Sequence, residues 1–307
     1  MKYFRLLFVA VIFLISVTTL ILGGLYFYRR TEKKTLTQKE RNHATGSFIK
    51  LSAGITHYQL SGPDTGQVVI LIHAFTVPYY VWDSTYNYLA HHGFRVLRYD
   101  QYGCGYSDRP DSVYNKQLYF NQLSQLIKAL NLATPVDLIG VAFGGMIATD
   151  FTVEYPNLVH KVVLMDPGYE HLMPDKPEFV AKYYETIHPN ERAESQLDNF
   201  KHPKNYPNWI TRYRIQMRYK GFINALVSTM YNYDYDGSES NTRLNAAHKP
   251  VLLIWSRDDK TVPYAFSDSI RSVLKTEFFP VDDAGQFACM EQPDIINPKL
   301  LDFLKKE

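Results

Sequence analysis

Cysteine, net charge and repetition are all scarce in this chain, and each shortage removes a class of protein. Two cysteines, Cys104 and Cys289, among 307 residues supply neither a disulfide framework nor a thiolate metal site. A single bridge between them and a pair of reduced structural thiols both fit the count, and the second is the reading adopted. A formal net charge of +2 provides no positive field that would hold nucleic acid. No internal repeat or low-complexity tract is present, and no motif calls for a metal or an organic cofactor. What the chain has in quantity is apolar surface: 46% hydrophobic residues, enough to build one large domain around a substantial core. Aromatic residues make up 15%, with many tyrosines in the middle of the chain, where packing and an aromatic ligand pocket are both open readings.

Residues 6–28 form an uncharged, mostly apolar run long enough to cross a bilayer as one helix. A cleaved signal peptide is the competing reading. The run is long for one, and no small-residue cleavage site ends it before Arg29, so an uncleaved signal anchor is expected. Lys2 and Arg5 precede the run, whereas Arg29, Arg30, Lys33, Lys34, Lys39 and Arg41 follow it. The excess on the C-terminal side places the globular part in the cytoplasm by the positive-inside rule, against the pull of Lys2 and Arg5. Residues 1–46 are thus expected to be anchor and tether, with residues 31–46 as the polar tether and residues 47–307 as the globular domain.

From Ser47 onward strand-like and helix-like segments alternate, which implies a mostly parallel sheet covered by helices on both faces. Residues 48–51 and 55–59 read as a hairpin pair, and residues 68–72 as a strand buried on both faces. Further strands are expected at 94–99, 136–139, 161–165, 251–255 and 276–281, with helices between them. Between about 167 and 247 the alternation breaks into a helical insertion, with helices expected near 178–186, 209–218 and 222–231. Such an insertion would cover the strand ends where open α/β sheets place ligands, although a dimer contact is the plainer alternative.

The most informative stretch is Gly140, Val141, Ala142, Phe143, Gly144, Gly145. It follows an apolar strand and opens a helix rich in small residues. That is the frame of a G-x-S-x-G nucleophile elbow, where a strained turn lifts a hydroxyl above the sheet, but alanine occupies the serine position.

Four further motifs stand in order around it: residues 71–75 (Leu-Ile-His-Ala-Phe), 100–110 (Asp-Gln-Tyr-Gly-Cys-Gly-Tyr-Ser-Asp-Arg-Pro), 255–263 (Trp-Ser-Arg-Asp-Asp-Lys-Thr-Val-Pro) and 283–288 (Asp-Ala-Gly-Gln-Phe-Ala). Together they resemble the α/β-hydrolase superfamily, in particular its small, capped, esterase- and lipase-like members, over about residues 48–304. The resemblance implies that the backbone amides of Phe75 and Phe143 form an oxyanion hole. Ala74 stands in place of the loop glycine and, with His171 at the cap entrance, is implied to face a substrate. Asp259 matches the triad acid, Ala142 the nucleophile position and Gln286 the position of the triad histidine.

Acyl transfer on this scaffold needs a nucleophile, a base and an acid to orient the base. Only Asp259 retains a residue of the required type. Losing nucleophile or base alone costs on the order of a millionfold in kcat in a serine-protease triad, so a pseudohydrolase that binds a small apolar or ester-like molecule, or an unidentified protein partner, is expected. The alternative is an active carboxylic-ester hydrolase that uses other residues; Cys289, His73, His171 and Asp166 were weighed as substitutes. An amide hydrogen bond from Gln286 to Asp259 is expected to keep the old site folded.

Overall fold

The computed structural model describes residues 1–170 and 173–306. Its sheet comprises β1 (Ser47–Lys50), β2 (Ile55–Ser61), β3 (Val68–Ile72), β4 (Arg95–Tyr99), β5 (Val136–Val141), β6 (Val159–Met165), β7 (Val251–Ser256) and β8 (Glu277–Val281). They lie in the order β1-β2-β4-β3-β5-β6-β7-β8. β1 and β2 pair antiparallel, as do β2 and β4, and every later pair is parallel. Each residue of β3, β5 and β7 is buried, because helices cover both faces and the continuous Val, Ile and Leu runs satisfy both layers.

The helices are α1 (Lys2–Arg29), α2 (Gln38–Arg41), α3 (Asp83–His91), α4 (Lys116–Ala129), α5 (Phe143–Glu154), α6 (Glu178–Ile187), α7 (Pro189–Glu194), α8 (Trp209–Gln216), α9 (Phe222–Asn232), α10 (Gly237–Ala246), α11 (Phe266–Val273), α12 (Ala288–Glu291) and α13 (Pro293–Lys305). α6 to α9 make up the helical insertion after β6. α10 was not foreseen and falls inside the range expected for that insertion, yet it packs against α5 and α11. Its polar composition hides an apolar contact through Leu244, and Ser240 donates to the buried Asp150 carboxylate at 2.7 Å.

A charged side chain is buried near the start of β6. Lys161 on β6 is 3% exposed, and its ammonium donates to the carbonyls of Phe303 (3.2 Å), Leu304 (2.9 Å) and Lys306 at the end of α13. These orphan helix carbonyls replace the water that the ammonium has lost.

Residues 31–46 depart from the expected tether: they are fastened to the globular body. The Lys34 amide donates to the Arg218 carbonyl and the Lys34 carbonyl accepts from the Lys220 amide, both at 2.9 Å. The Glu32 carboxylate accepts from the Ile223 amide at 3.0 Å, and the Tyr219 hydroxyl donates to Glu40 at 3.0 Å. Arg41 is 4% exposed and pairs with Asp108, whose other oxygen accepts from the Ile55 amide at 2.7 Å. The segment looked solvated because every one of these partners is remote in sequence. Truncating Arg41 strands the Asp108 carboxylate and the Tyr106 carbonyl it serves. Arg41→Ala is therefore expected to lower the unfolding free energy by about 1–3 kcal/mol, measured by urea denaturation of the full chain in detergent; an unchanged midpoint would show that residues 31–46 swing free.

Candidate active site

The strand order reverses direction around β3 and β5, so the loops leaving their carboxyl ends diverge and open a crevice. Ala142 sits at that point, immediately after β5, with φ 51° and ψ −116°. This conformation is one that L-residues rarely adopt and costs of order 1–3 kcal/mol. Three contacts impose it. The Ala142 amide donates to Met165 at 3.0 Å, and its carbonyl accepts from Gly145 at 2.9 Å. A Cβ on Gly140 would meet the Gly144 carbonyl oxygen at 2.2 Å, so strand and helix touch backbone to backbone. The elbow is therefore built as for a catalytic serine, but its tip carries a methyl group.

Phe75 follows β3 and Phe143 opens α5; their rings meet edge to face at 5.4 Å between centroids. Among the described residues, neither backbone amide donates to a protein acceptor. The α5 amide also lies at a helix N-terminus, where the partial positive charge favours an anion. Ala74, 2% exposed, fits in the loop with its carbonyl accepting from Val77 and from the His73 ring at 2.8 Å. The other His73 nitrogen accepts from the Gln101 amide at 2.9 Å. Burial lowers the His73 pKa, so both ring nitrogens are committed and the ring stays neutral. It anchors the loop and offers no base.

Ala74, Phe75, Ala142, Phe143, Gln286 and the residues following Asp259, Lys260 to Val262, line one cavity of about 420 Å³. That volume suits a small ligand. Arg192 of α7 also lines it, its guanidinium held by the Glu185 carboxylate at 2.8 and 2.5 Å. His171 lies outside the described residues. Cys289 is fully buried; its thiol contacts the Val81 carbonyl at 3.7 Å, and burial raises its pKa, so no thiolate is available there. Cys104 is pushed up to about 12 by burial, and both cysteines are free, which settles the count in favour of thiols.

The acid behaves differently from the expectation. One oxygen of Asp259 accepts from the amides of Thr261 (2.7 Å) and Val262 (3.0 Å). The other, Oδ2, is buried without a partner among the described residues. The expected hydrogen bond from the Gln286 amide is not made: Gln286, 4% exposed, turns to the cavity. The carboxamide, free to rotate about more bonds than an imidazole, lines the cavity instead of pairing with the acid. Burial pushes the Asp259 pKa up to about 6 against the pull of the two amides.

A second carboxylate stands beside the acid. Asp166 is fully buried at the end of β6 with φ 43°. It accepts from the Ser256 amide at 2.7 Å and the Ser256 hydroxyl at 3.0 Å. Burial, and then the nearby Asp259 charge, raise its pKa well above the ordinary carboxylate range. The legible signal was its place, directly after a strand and one strand away from Asp259.

Because these carboxyls hold protons more tightly folded than unfolded, they favour the fold at low pH. That contribution fades as pH rises from about 4 through about 6 for Asp259. Asp259→Asn keeps the amide contacts and removes the charge. Its Tm advantage over the parent is expected to widen between about pH 4 and about pH 8; parallel Tm profiles in a pH-resolved thermal scan would refute the assignment.

With the elbow, oxyanion loop and acid in place, relatives can be set beside the chain. A profile for the alpha/beta hydrolase fold matches residues 67–293. The AB hydrolase superfamily protein YisY of Bacillus subtilis is 22% identical, covering 84% of this chain and 98% of its own. A 2-hydroxy-6-oxononadienedioate/2-hydroxy-6-oxononatrienedioate hydrolase of Paraburkholderia phymatum is 25% identical over 88% and 98%. Among solved structures, a meta-cleavage product hydrolase of Pseudomonas fluorescens, in a serine-to-alanine mutant complexed with acetates, superposes with TM-score 0.71 and 23% identity over 84% and 97% of the chains. Profile, order of motifs and sheet topology agree: the chain belongs to the α/β-hydrolase fold family.

Proposed function

We propose that this protein is a membrane-anchored pseudohydrolase whose former active site binds a small apolar or ester-like ligand without turning it over. One observation carries the reading. The methyl of Ala142 and the carboxamide of Gln286 face the same cavity of about 420 Å³, beside two backbone amides still free to receive an oxyanion. Binding elements remain while both proton-handling groups are gone. Electrostatic stabilisation and binding alone amount to roughly 10³-fold over water in a stripped triad, far short of useful turnover. The unpartnered Asp259 Oδ2 adds support, because it is the atom an imidazole N–H would have served.

The anchor is α1. Most of its apolar residues are exposed, and the hydroxyls of Ser16 and Thr19 are turned back onto the carbonyls of Ile12 (2.9 Å) and Ile15 (2.8 Å). These two hydroxyls are thereby satisfied within the helix, as hydrocarbon requires. The basic residues after it orient the domain toward the cytoplasm.

The competing reading, an active ester hydrolase with unfamiliar residues, would need a nucleophile in the cavity. The buried Cys289 thiol and the committed His73 ring speak against it. The test is a short-chain nitrophenyl ester assay on the parent, Ala142→Ser, Gln286→His and the double variant. Parent and single variants are expected to stay within the roughly 10³-fold over buffer that binding and oxyanion stabilisation alone supply, and the double variant to exceed them by on the order of 10³-fold or more, since triad members act as a unit. Parent turnover equal to that of the double variant would overturn the pseudohydrolase reading.

A further inference from the structure

The cap helix α6 carries apolar side chains that stay exposed among the described residues. Phe179 is 74% exposed, Val180 37% and Tyr184 46%, and Met173 just before the helix is 54% exposed. This face is continuous with α1. The Tyr183 hydroxyl donates to the Leu22 carbonyl at 3.0 Å, and the Tyr183 ring stacks on Tyr26 at 6.2 Å. Thr19, Leu22, Gly23 and Tyr26 form one wall of a groove of about 630 Å³, and Phe179, Val180, Lys182 and Tyr183 form the other.

The rise of an α-helix fixes the depth of that groove. At about 1.5 Å per residue, Leu22 lies roughly 10 Å and Thr19 roughly 15 Å along the helix from Arg29, the first charge after the apolar run. If α1 spans a bilayer, these positions are inside the hydrocarbon, and the first turn of α6 sits beside them. Its charges are arranged for that level. Glu178 is neutralised by Lys182 at 2.8 Å, and the Lys176 ammonium lies 4.2 Å from the Tyr184 ring centroid. Both lysines have stems long enough to reach the headgroups, as do Arg29 and Arg30.

We infer that α6 is a second membrane contact: its N-terminal half is immersed in the leaflet alongside α1, with lipid acyl chains filling the groove between the two helices. The inference rests on the reading of α1 as a span. It places the cap within the leaflet that α1 leaves. α6 leads directly into α7, whose Arg192 lines the cavity. A ligand that partitions into lipid therefore meets the cap without first crossing water, which narrows the ligand class to lipid-soluble molecules.

The test uses the full chain in vesicles of phosphatidylcholine and phosphatidylglycerol carrying brominated acyl chains. Single cysteines labelled with an environment-sensitive fluorophore replace Leu14, Phe179 or Ser272; the native Cys104 and Cys289 are buried and do not compete for label. Phe179 and Ser272 are exposed, so neither change disturbs packing. The expected result is quenching at 179 at least half as strong as at 14, and several-fold stronger than at 272. Quenching at 14 with none at 179 would overturn this inference and leave the span standing. No quenching at 14 would remove the span and this inference with it. Label self-quenching at 179 that grows with the protein-to-lipid ratio, without quenching by bromolipid, would give the face to a second copy of the chain and overturn the inference as well.

Discussion

At Gly144 the first turn of α5 comes so close to the end of β3 that a Cβ there would lie 2.1 Å from the Ile72 carbonyl oxygen. This approach governs the rest of the site. It draws the oxyanion loop after β3 against the elbow after β5 and leaves Ala142 no ordinary backbone conformation to adopt. It also aims residue 142 into the crevice at the reversal of strand order. None of this depends on a hydroxyl. The backbone geometry is a property of strand–helix packing, so it holds with alanine at position 142.

The acid side of the site shows the opposite behaviour. The resemblance implies an imidazole at position 286 to serve Asp259. With glutamine there, Oδ2 of Asp259 has no partner among the described residues, and Asp259 and Asp166 are neighbouring buried carboxyls. The structure accommodates them by raising both pKa values rather than by supplying new donors. On the pseudohydrolase reading proposed above, such a site would keep the electrostatic burden of a catalytic one.

Much of this was legible in the sequence, and for physical reasons. Buried parallel strands leave runs such as Val68–Ile72 that nothing else explains, and the elbow leaves glycines at 140 and 144 because no other residue fits there. What sequence could not reveal was pairing at a distance. Residues 31–46 read as solvated, yet Arg41 finds Asp108, and Lys34 finds residues 218–220. α10 was hidden by polar residues whose partners lie on α5. The contact between Gln286 and Asp259 was expected from chemical type alone, whereas the direction a flexible side chain takes, here toward the cavity, is set by its tertiary surroundings.

Lys161 carries one consequence beyond the site. Its ammonium sits near the start of β6, but the oxygens that receive it come from residues 142 to 145 positions downstream. Among the described residues it has no other acceptor, so burying this end of β6 and seating α13 belong to one event.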